Sequence, residues 1–381
     1  MIDFNNRCYK CMNKLKKNTD ICPYCSNTVP IAENKKNHLK QGTILSERYI
    51  VGSVISENPE SVTYIALDQH LDMKVAIKEL FPDSLLDRLE SGQVCLKPGK
   101  GELFEKIKEK FISLFEMLSK FRTMPNILKV FSVFFENDTV YAIQELPNGI
   151  TLRKYLSNFY GELRWENCSN MFLELIKSIQ HLHNSGVIHG GLSPETILVD
   201  NNTFKIVNFS TPYLRSSNIV DLPHEIYDGY AAPEQYYNQN LLGFYSDVYG
   251  MAAVMYKSLT GTMPISSNTR AENDNLIPPD ILNSNISKNI SLAIMAALKL
   301  SLKLRTQTME DFYAEIITPP RLSQKTTKIE NIKKINEDDQ PIFNIEQNHE
   351  MKTHKIILLA MLISTGVAML SLAIIIFILF G

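Results

Sequence analysis

Six cysteines in 381 residues are too few for a disulfide scaffold of this length, and four of them fall within the first 25 residues as two C-x-x-C pairs. That clustering favours a metal over a disulfide framework. Net charge is also scarce, at −2, and it is unevenly spread: residues 1–40 carry eight Lys/Arg against three Asp/Glu, a formal +5, which leaves −7 for the remainder. Such a balance argues against wholesale nucleic-acid binding and leaves only a small basic N-terminal module open to it. The first ten residues lack the apolar run of a secretory signal, and no internal repeat is evident. Apolar residues are not lacking. A chain that is 44% hydrophobic and 21% charged has the ordinary globular mixture, and its length allows two or three folded units.

One long hydrophobic run is present. From Ile356 to Phe380, 25 residues pass without a charge, more than the roughly 20 that a helix needs to cross a bilayer. This predicts a transmembrane helix over 356–380. Lys352, His354 and Lys355 precede it and only Gly381 follows, so the positive-inside bias predicts a single-pass, tail-anchored protein of the cell membrane with its N-terminal domains in the cytoplasm. Residues 319–355, rich in Lys, Asn, Gln, Glu and Asp without sustained periodicity, read as a polar tether. Upstream, residues 41–318 alternate strand-like and helix-like stretches between Gly, Pro and Asn punctuation.

The N-terminal cysteines are Cys8-x2-Cys11 and, ten residues on, Cys22-Pro23-Tyr24-Cys25. Each turn can aim two thiolates at one ion, and two turns close the tetrahedral four-sulfur site that structural zinc takes. A module of about 30 residues buries too little surface to fold alone, so the metal supplies the deficit. Residues 1–30 therefore resemble a zinc ribbon, with 31–40 as a short linker. Four thiolates on a dication reduce the module's charge to about +3, and without an open ligand position no catalysis is expected there. Cys95 and Cys168 stand alone and read as ordinary half-buried thiols.

The middle of the chain, 41–318, carries five landmarks in order: Val75-Ala76-Ile77-Lys78; His189-Gly190-Gly191-Leu192-Ser193-Pro194-Glu195-Thr196; Asn208-Phe209-Ser210; Ala232-Pro233-Glu234; and Ser246-Asp247-Val248-Tyr249-Gly250. Together they resemble a protein kinase domain of the bacterial serine/threonine type. The resemblance implies an α+β, bilobal fold, with a β-rich N-lobe and an α-rich C-lobe, to which the ribbon and one transmembrane helix are added. It also implies that Lys78 belongs to a nucleotide site.

Where the resemblance would place catalytic groups, the sequence differs. Phosphoryl transfer rests on positioning phosphates, holding Mg²⁺ and orienting the attacking hydroxyl. The catalytic-loop aspartate position is Gly191, the metal-binding asparagine position is Thr196, and the metal-binding aspartate before Phe-Gly is Asn208. The three glycine positions of the phosphate loop read Ser56, Asn58 and Ser61, with Pro59 between. Leu114 falls where kinases carry the glutamate that pairs with the lysine, and Glu116 is the nearest acid. Pro147 falls where a hinge N–H would meet adenine, and proline has no such donor. Gly190 replaces the arginine that grips a phosphorylated activation loop, so Thr211, Ser216 and Ser217 read as ordinary loop hydroxyls.

Residues that resemble the internal skeleton are kept. His189, Phe209, Leu118 and Val130 fit the apolar spine, Asp247 fits the helix aspartate that holds the catalytic loop, and Glu234 with Arg305 fits a buried ion pair. Met251, Met255 and Tyr256 read as core. The pattern implies a membrane-anchored pseudokinase that acts as a binding, scaffolding or regulatory module, with structural zinc and with little affinity for ATP and Mg²⁺. Its expected partner is a protein, an active kinase or a membrane complex. Two other readings stand beside it: an atypical serine/threonine kinase that uses Lys78 with weak phosphotransfer, and a zinc-ribbon nucleic-acid reader tethered to the membrane.

Overall fold

The computed structural model describes residues 7–158, 161–216, 221–237 and 241–318. The expected tether and transmembrane helix lie outside the described residues, as does Ser217. Among the described residues no helix is long and apolar enough to cross a membrane.

Two lobes are built, as the resemblance implied. The N-lobe holds β1 (Ile44–Leu45), β2 (Tyr49–Asn58), β3 (Ser61–Asp68), β4 (Met73–Leu80), the hairpin β5 (Leu86–Arg88) and β6 (Val94–Leu96), helix α1 (Gly101–Leu118), β7 (Val130–Glu136) and β8 (Thr139–Glu145). Six of these strands form one antiparallel sheet in the order β1-β2-β3-β4-β8-β7. Helix α1 repeats apolar residues at helical spacing, and Phe104, Ile107, Phe111, Phe115 and Leu118 are the buried stripe that enters the core.

A short connection leads through β9 (Ile150–Thr151) to the C-lobe, which contains α2 (Leu152–Ser157), α3 (Trp165–Asn184), β10 (Ile197–Asp200), β11 (Thr203–Ile206), α4 (Pro233–Tyr237), α5 (Phe244–Thr260), α6 (Ser267–Glu272), α7 (Pro279–Leu282), α8 (Lys288–Ala297) and α9 (Met309–Ile317). Helix α5 is buried on almost every side, Met251, Met255 and Tyr256 included, so it is the axis around which the lobe packs. Glu234 and Arg305 form a two-pronged ion pair, 2.7 and 3.1 Å, with both side chains buried.

A second buried charge braces the N-lobe. Glu79 on β4 is fully buried and accepts from Arg88 (2.7 Å), Tyr141 (2.7 Å) and Tyr64 (2.9 Å). The Tyr64 hydroxyl accepts in turn from the Leu39 N–H, 3.1 Å away. One carboxylate thus ties together β3, β4, β8, the β5–β6 hairpin and the 31–40 segment. That segment is no free linker: Asn34 donates to the carbonyls of Leu39 and Gly52 and accepts from the Val54 N–H.

Residues from Arg7 onward dock on the outer face of the same sheet. Met12 is fully buried in a small cluster with Ile50, Ile65 and Leu67, against which Tyr9 and Leu146 pack. Docking depends on an irregularity in β2, whose register with β3 shifts between Val51 and Val54. The shift frees the Ser53 N–H to donate to the Tyr9 carbonyl at 2.8 Å. Gly52 makes the approach possible, because a Cβ there would lie 2.5 Å from that carbonyl oxygen and 2.8 Å from the Met12 sulfur.

Candidate functional site

The four N-terminal cysteines come together as their spacing implied. Their sulfurs all lie within 4.8 Å of one another, with Cys8 3.6 Å from Cys25 and Cys11 3.7 Å from Cys22. A tetrahedron of sulfurs about 2.3 Å from zinc has edges of about 3.8 Å, so the arrangement fits that ion. Two matching turns shape it. The N–H groups of Cys11 and Met12 return to the Cys8 carbonyl, the N–H of Ser26 returns to that of Cys22, and Met12 and Ser26 take positive φ to close the turns. The Asn13 amide also donates to the Cys11 sulfur, 3.3 Å away, which suits a sulfur carrying negative charge. The cluster could hold a metal ion such as zinc.

Between the lobes lies a cleft of about 540 Å³, walled by Ile55, Leu128, Leu146, Pro147, Leu198, Val207 and Phe209. Lys78, Asn58, Asn208 and Glu225 bound its inner end. Pro147 lines the hinge side and offers no N–H there. The hinge is stiffened by an ion pair between Glu145 and Lys205 at 2.8 Å.

Lys78 stands in the middle of β4, buried, and has no direct ion-pair partner among the described residues. Glu116 on α1 is exposed and does not reach it. The side chain beneath the ammonium is Phe115, whose ring centre is 5.9 Å away, one residue on from the expected Leu114. Burial pushes the lysine down to about 8, against the opposing pull of Glu60 and Glu225.

Gly191 proves to be an occupied position. The Arg215 guanidinium, 1% exposed, lies where a side chain at 191 would start: a Cβ would fall 2.6 Å from its Cζ. Arg215 donates to the Glu225 carboxylate (2.8 Å) and to the Asn208 carbonyl (2.6 Å). Gln235 then bridges the Arg215 and Gly190 carbonyls at 3.1 and 2.7 Å.

The two expected metal-ligand positions are likewise engaged. Thr196 is fully buried, and its hydroxyl donates to the Gly191 carbonyl, 2.8 Å away. Asn208, at φ 61, directs its amide nitrogen to Glu225 (3.3 Å) and Tyr227 (3.1 Å), while its side-chain oxygen accepts from Asn58 at 3.4 Å. Glu225 lines this inner end beside Asn208, and Arg215 holds it.

The former glycine positions form a tight, pinned hairpin rather than an open loop. Asn58 and Ser61 pair across a turn made by Pro59 and Glu60, and the Asn58 side-chain oxygen accepts from the Glu60 and Ser61 N–H groups at 3.0 and 2.8 Å. The Asn58 amide reaches across the cleft to Ser210, 3.3 Å away. Glu60 crosses as well: its carboxylate accepts the Thr211 N–H at 3.0 and 3.2 Å and the Thr211 hydroxyl. Thr211 is therefore not the ordinary loop hydroxyl that its position suggested. Both it and Ser216 are fully buried. Burial raises the Glu60 carboxyl, while Lys78, Thr211 and Arg215 draw it back.

Below the cleft, Asp247 holds the loop at 189–191. Its carboxylate accepts the N–H groups of His189 (2.8 Å) and Gly190 (2.7 Å) and contacts the His183 ring at 2.9 Å. Burial works against ionisation, but these bonds, led by that to His183, keep its carboxyl below the usual range. His189 packs edge-on to Phe209, with 4.9 Å between ring centres, and both are buried with Leu118 and Val130. The His189 ring accepts from the Gly191 N–H at Nδ1 and donates to the Val207 carbonyl at Nε2, which fixes the neutral tautomer. Burial, with the charge of Arg215, pushes it down to about 4, against Asp247.

Two lobes, a hinge cleft, a lysine in the third long strand of the sheet and an aspartate-held loop define the protein kinase class of fold. The chain belongs to the protein kinase domain family, whose model matches residues 61–328. It is similar to the serine/threonine-protein kinase PrkC of Bacillus subtilis, with 25% identity over 304 residues, covering 76% of this chain and 43% of the relative. It is also similar to a probable serine/threonine-protein kinase of Clostridium perfringens, with 23% identity over 284 residues, covering 72% of this chain and 38% of the relative. The chain thus spans about two fifths of the length of these curated relatives. A solved structure described as the apo form of PpkA-294 matches with a TM-score of 0.62 and 24% identity, over 74% of this chain and 99% of that one, and shows the shared fold.

Proposed function

We propose that the chain is a pseudokinase: a kinase-fold module that binds and positions a protein partner and transfers no phosphoryl group at a useful rate. The observation that carries this reading is the Arg215 guanidinium in the space a catalytic aspartate side chain would enter from position 191. A cation there neither accepts a proton from a substrate hydroxyl nor attracts a metal ion. The amide of Asn208 is committed to the chain's own groups, and Glu225, beside it, is held by Arg215. An enzyme with a rearranged metal site would have to seat a dication next to that guanidinium, which disfavours the atypical kinase.

The four cysteines hold a structural zinc in this reading, and ATP with Mg²⁺ is not a working cofactor. Residues 356–380 anchor the module in the cell membrane, with the kinase-fold lobes on the cytoplasmic side and 319–355 as the tether. The partner is an active kinase or a membrane complex that shares this surface; nucleic acid is set aside, because the ribbon's charge is small once its thiolates are counted. Partner capture tests the proposal. Crosslinking in intact membranes, followed by isolation of the full chain, should recover the same protein with wild type and with Lys78→Ala, with or without added ATP. Capture that requires ATP and is lost in Lys78→Ala would contradict it.

A further inference from the structure

Four charges that belong to the chain itself meet at and just behind the inner end of the cleft: Lys78 and Glu225 line it, and Glu60 and Arg215 are buried behind them. Lys78 and Arg215 are positive, Glu60 and Glu225 are negative, and the two carboxylates answer the two cations. In a nucleotide site that balance is supplied by the ligand, because a lysine and a cradle of N–H groups under a flexible loop face phosphate oxygens. Here the loop tip itself supplies the acceptor. Glu60 is fully buried, and both of its oxygens accept from Thr211, 151 residues further along the chain. Asn58 bridges the same gap to Asn208 and Ser210. The hairpin is therefore fastened to the opposite lobe by two side chains, Asn58 at the end of β2 and Glu60 in the turn.

The outer part of the cleft remains open. The cleft as a whole, about 540 Å³, is within the ordinary range for small-molecule sites, and the walls of its outer part bring apolar side chains together with Gln144, Thr151 and Glu195. We infer that Glu60 is a specificity-determining residue: it occupies the place of the ligand's phosphates, so that the cleft takes a planar, uncharged molecule of nucleoside size and rejects its phosphorylated form. A triphosphate would have to displace the Glu60 carboxylate from Thr211 and would meet the negative charge of Glu225. An uncharged ring system meets neither obstacle. This inference rests on the pseudokinase reading for its view that phosphate transfer is not the purpose of the cleft.

Titration calorimetry with the full chain tests it, using adenosine and ATP as the actual probes, each with and without Mg²⁺. Wild type is expected to bind adenosine more tightly than ATP by at least tenfold, with no gain from Mg²⁺. Glu60→Ala is expected to raise ATP affinity at least tenfold while changing adenosine affinity less than twofold. Thr211→Val, which removes the hydroxyl that fastens Glu60 but leaves the hairpin sequence intact, should move ATP affinity in the same direction by a smaller factor; it decides the matter if Glu60→Ala does not fold. ATP binding to wild type as tightly as adenosine, unchanged ATP affinity in both variants, or binding of neither probe to any form would overturn the inference. Failure of the pseudokinase reading is seen separately, as phosphate transfer by wild type, and ATP binding without transfer would sink only the role given to Glu60.

Discussion

Gly191 and Arg215 are two halves of one feature, since the missing side chain at 191 is the room that the guanidinium fills. Gly191→Asp should therefore behave as an overpacking change that also displaces a buried cation from Glu225, lowering stability by roughly 1 to 3 kcal/mol. Adding Arg215→Ala should recover part of that loss. Denaturant unfolding of the two variants checks this, and a single variant as stable as wild type would mean that Arg215 does not fill the site. His189 gives a pH signature. Its folded-state value near 4 lies below the ordinary 6.5, so the stability it contributes is complete above pH 6.5 and is lost as pH falls through about 4, by up to roughly 3 kcal/mol. Glu60, raised, contributes in the opposite sense, and Asp247, lowered, adds a loss only at still lower pH. Comparing unfolding free energies at pH 7 and pH 4 for wild type and His189→Phe should show the steeper loss in wild type. Asp247, Glu234, Arg305, His189 and Phe209 were all legible in the sequence, because each stands at a fixed interval from a short motif. Glu60, Arg215 and Glu225 were not. Their roles come from segments up to about 150 residues apart meeting in space, and the available signals were an acid beside Pro59 and two adjacent glycines at 190 and 191.

Among the elements, β2 does two tasks along ten residues. Its far end makes the pinned hairpin over the cleft, and its middle, through the register shift at Gly52 and Ser53, receives the cysteine-bearing segment. That segment was legible as a metal module from four cysteines, but its docking was not, because it rests on one buried methionine, one strand glycine and scattered polar contacts such as Lys74 with Asn13. Phe115, not the expected Leu114, lies beneath Lys78 for a related reason: Phe111, Phe115 and Leu118 enter the core together, and a helical pattern dense in apolar residues fits more than one phase. The docking has a direct test. Gly52→Val should undock residues 7–30 while leaving the four sulfurs able to hold zinc, so metal content stays at one per chain and limited proteolysis before residue 40 becomes faster. Removing the metal with a chelator, or through Cys22→Ser, should give the same protease sensitivity together with loss of zinc, and should lower the melting temperature of the lobes as well, since Met12 no longer covers Ile50, Ile65 and Leu67. Unchanged proteolysis in Gly52→Val would show that the sheet face is not what holds the segment.

For the whole molecule, packing and chemistry are separable because they depend on different atoms. The spine joins the lobes, and the Asp247 clasp and the Glu234–Arg305 pair brace the C-lobe, without any group that touches a phosphate. The membrane proposal is tested by ending the chain after Met351, which should move the protein from the membrane to the soluble fraction with its lobes still folded. Continued membrane association would require another anchor. The most direct measurement of all is transfer of labelled γ-phosphate by the purified full chain, at high protein concentration with ATP and Mg²⁺, read on the chain itself and on a general protein substrate. General-base assistance alone is commonly worth about 10²- to 10⁴-fold, and metal and phosphate positioning act beyond it, so the expected label is indistinguishable between wild type, Lys78→Ala and a heat-denatured control. Label on wild type that disappears in Lys78→Ala would contradict the pseudokinase reading and establish an enzyme that works around Arg215.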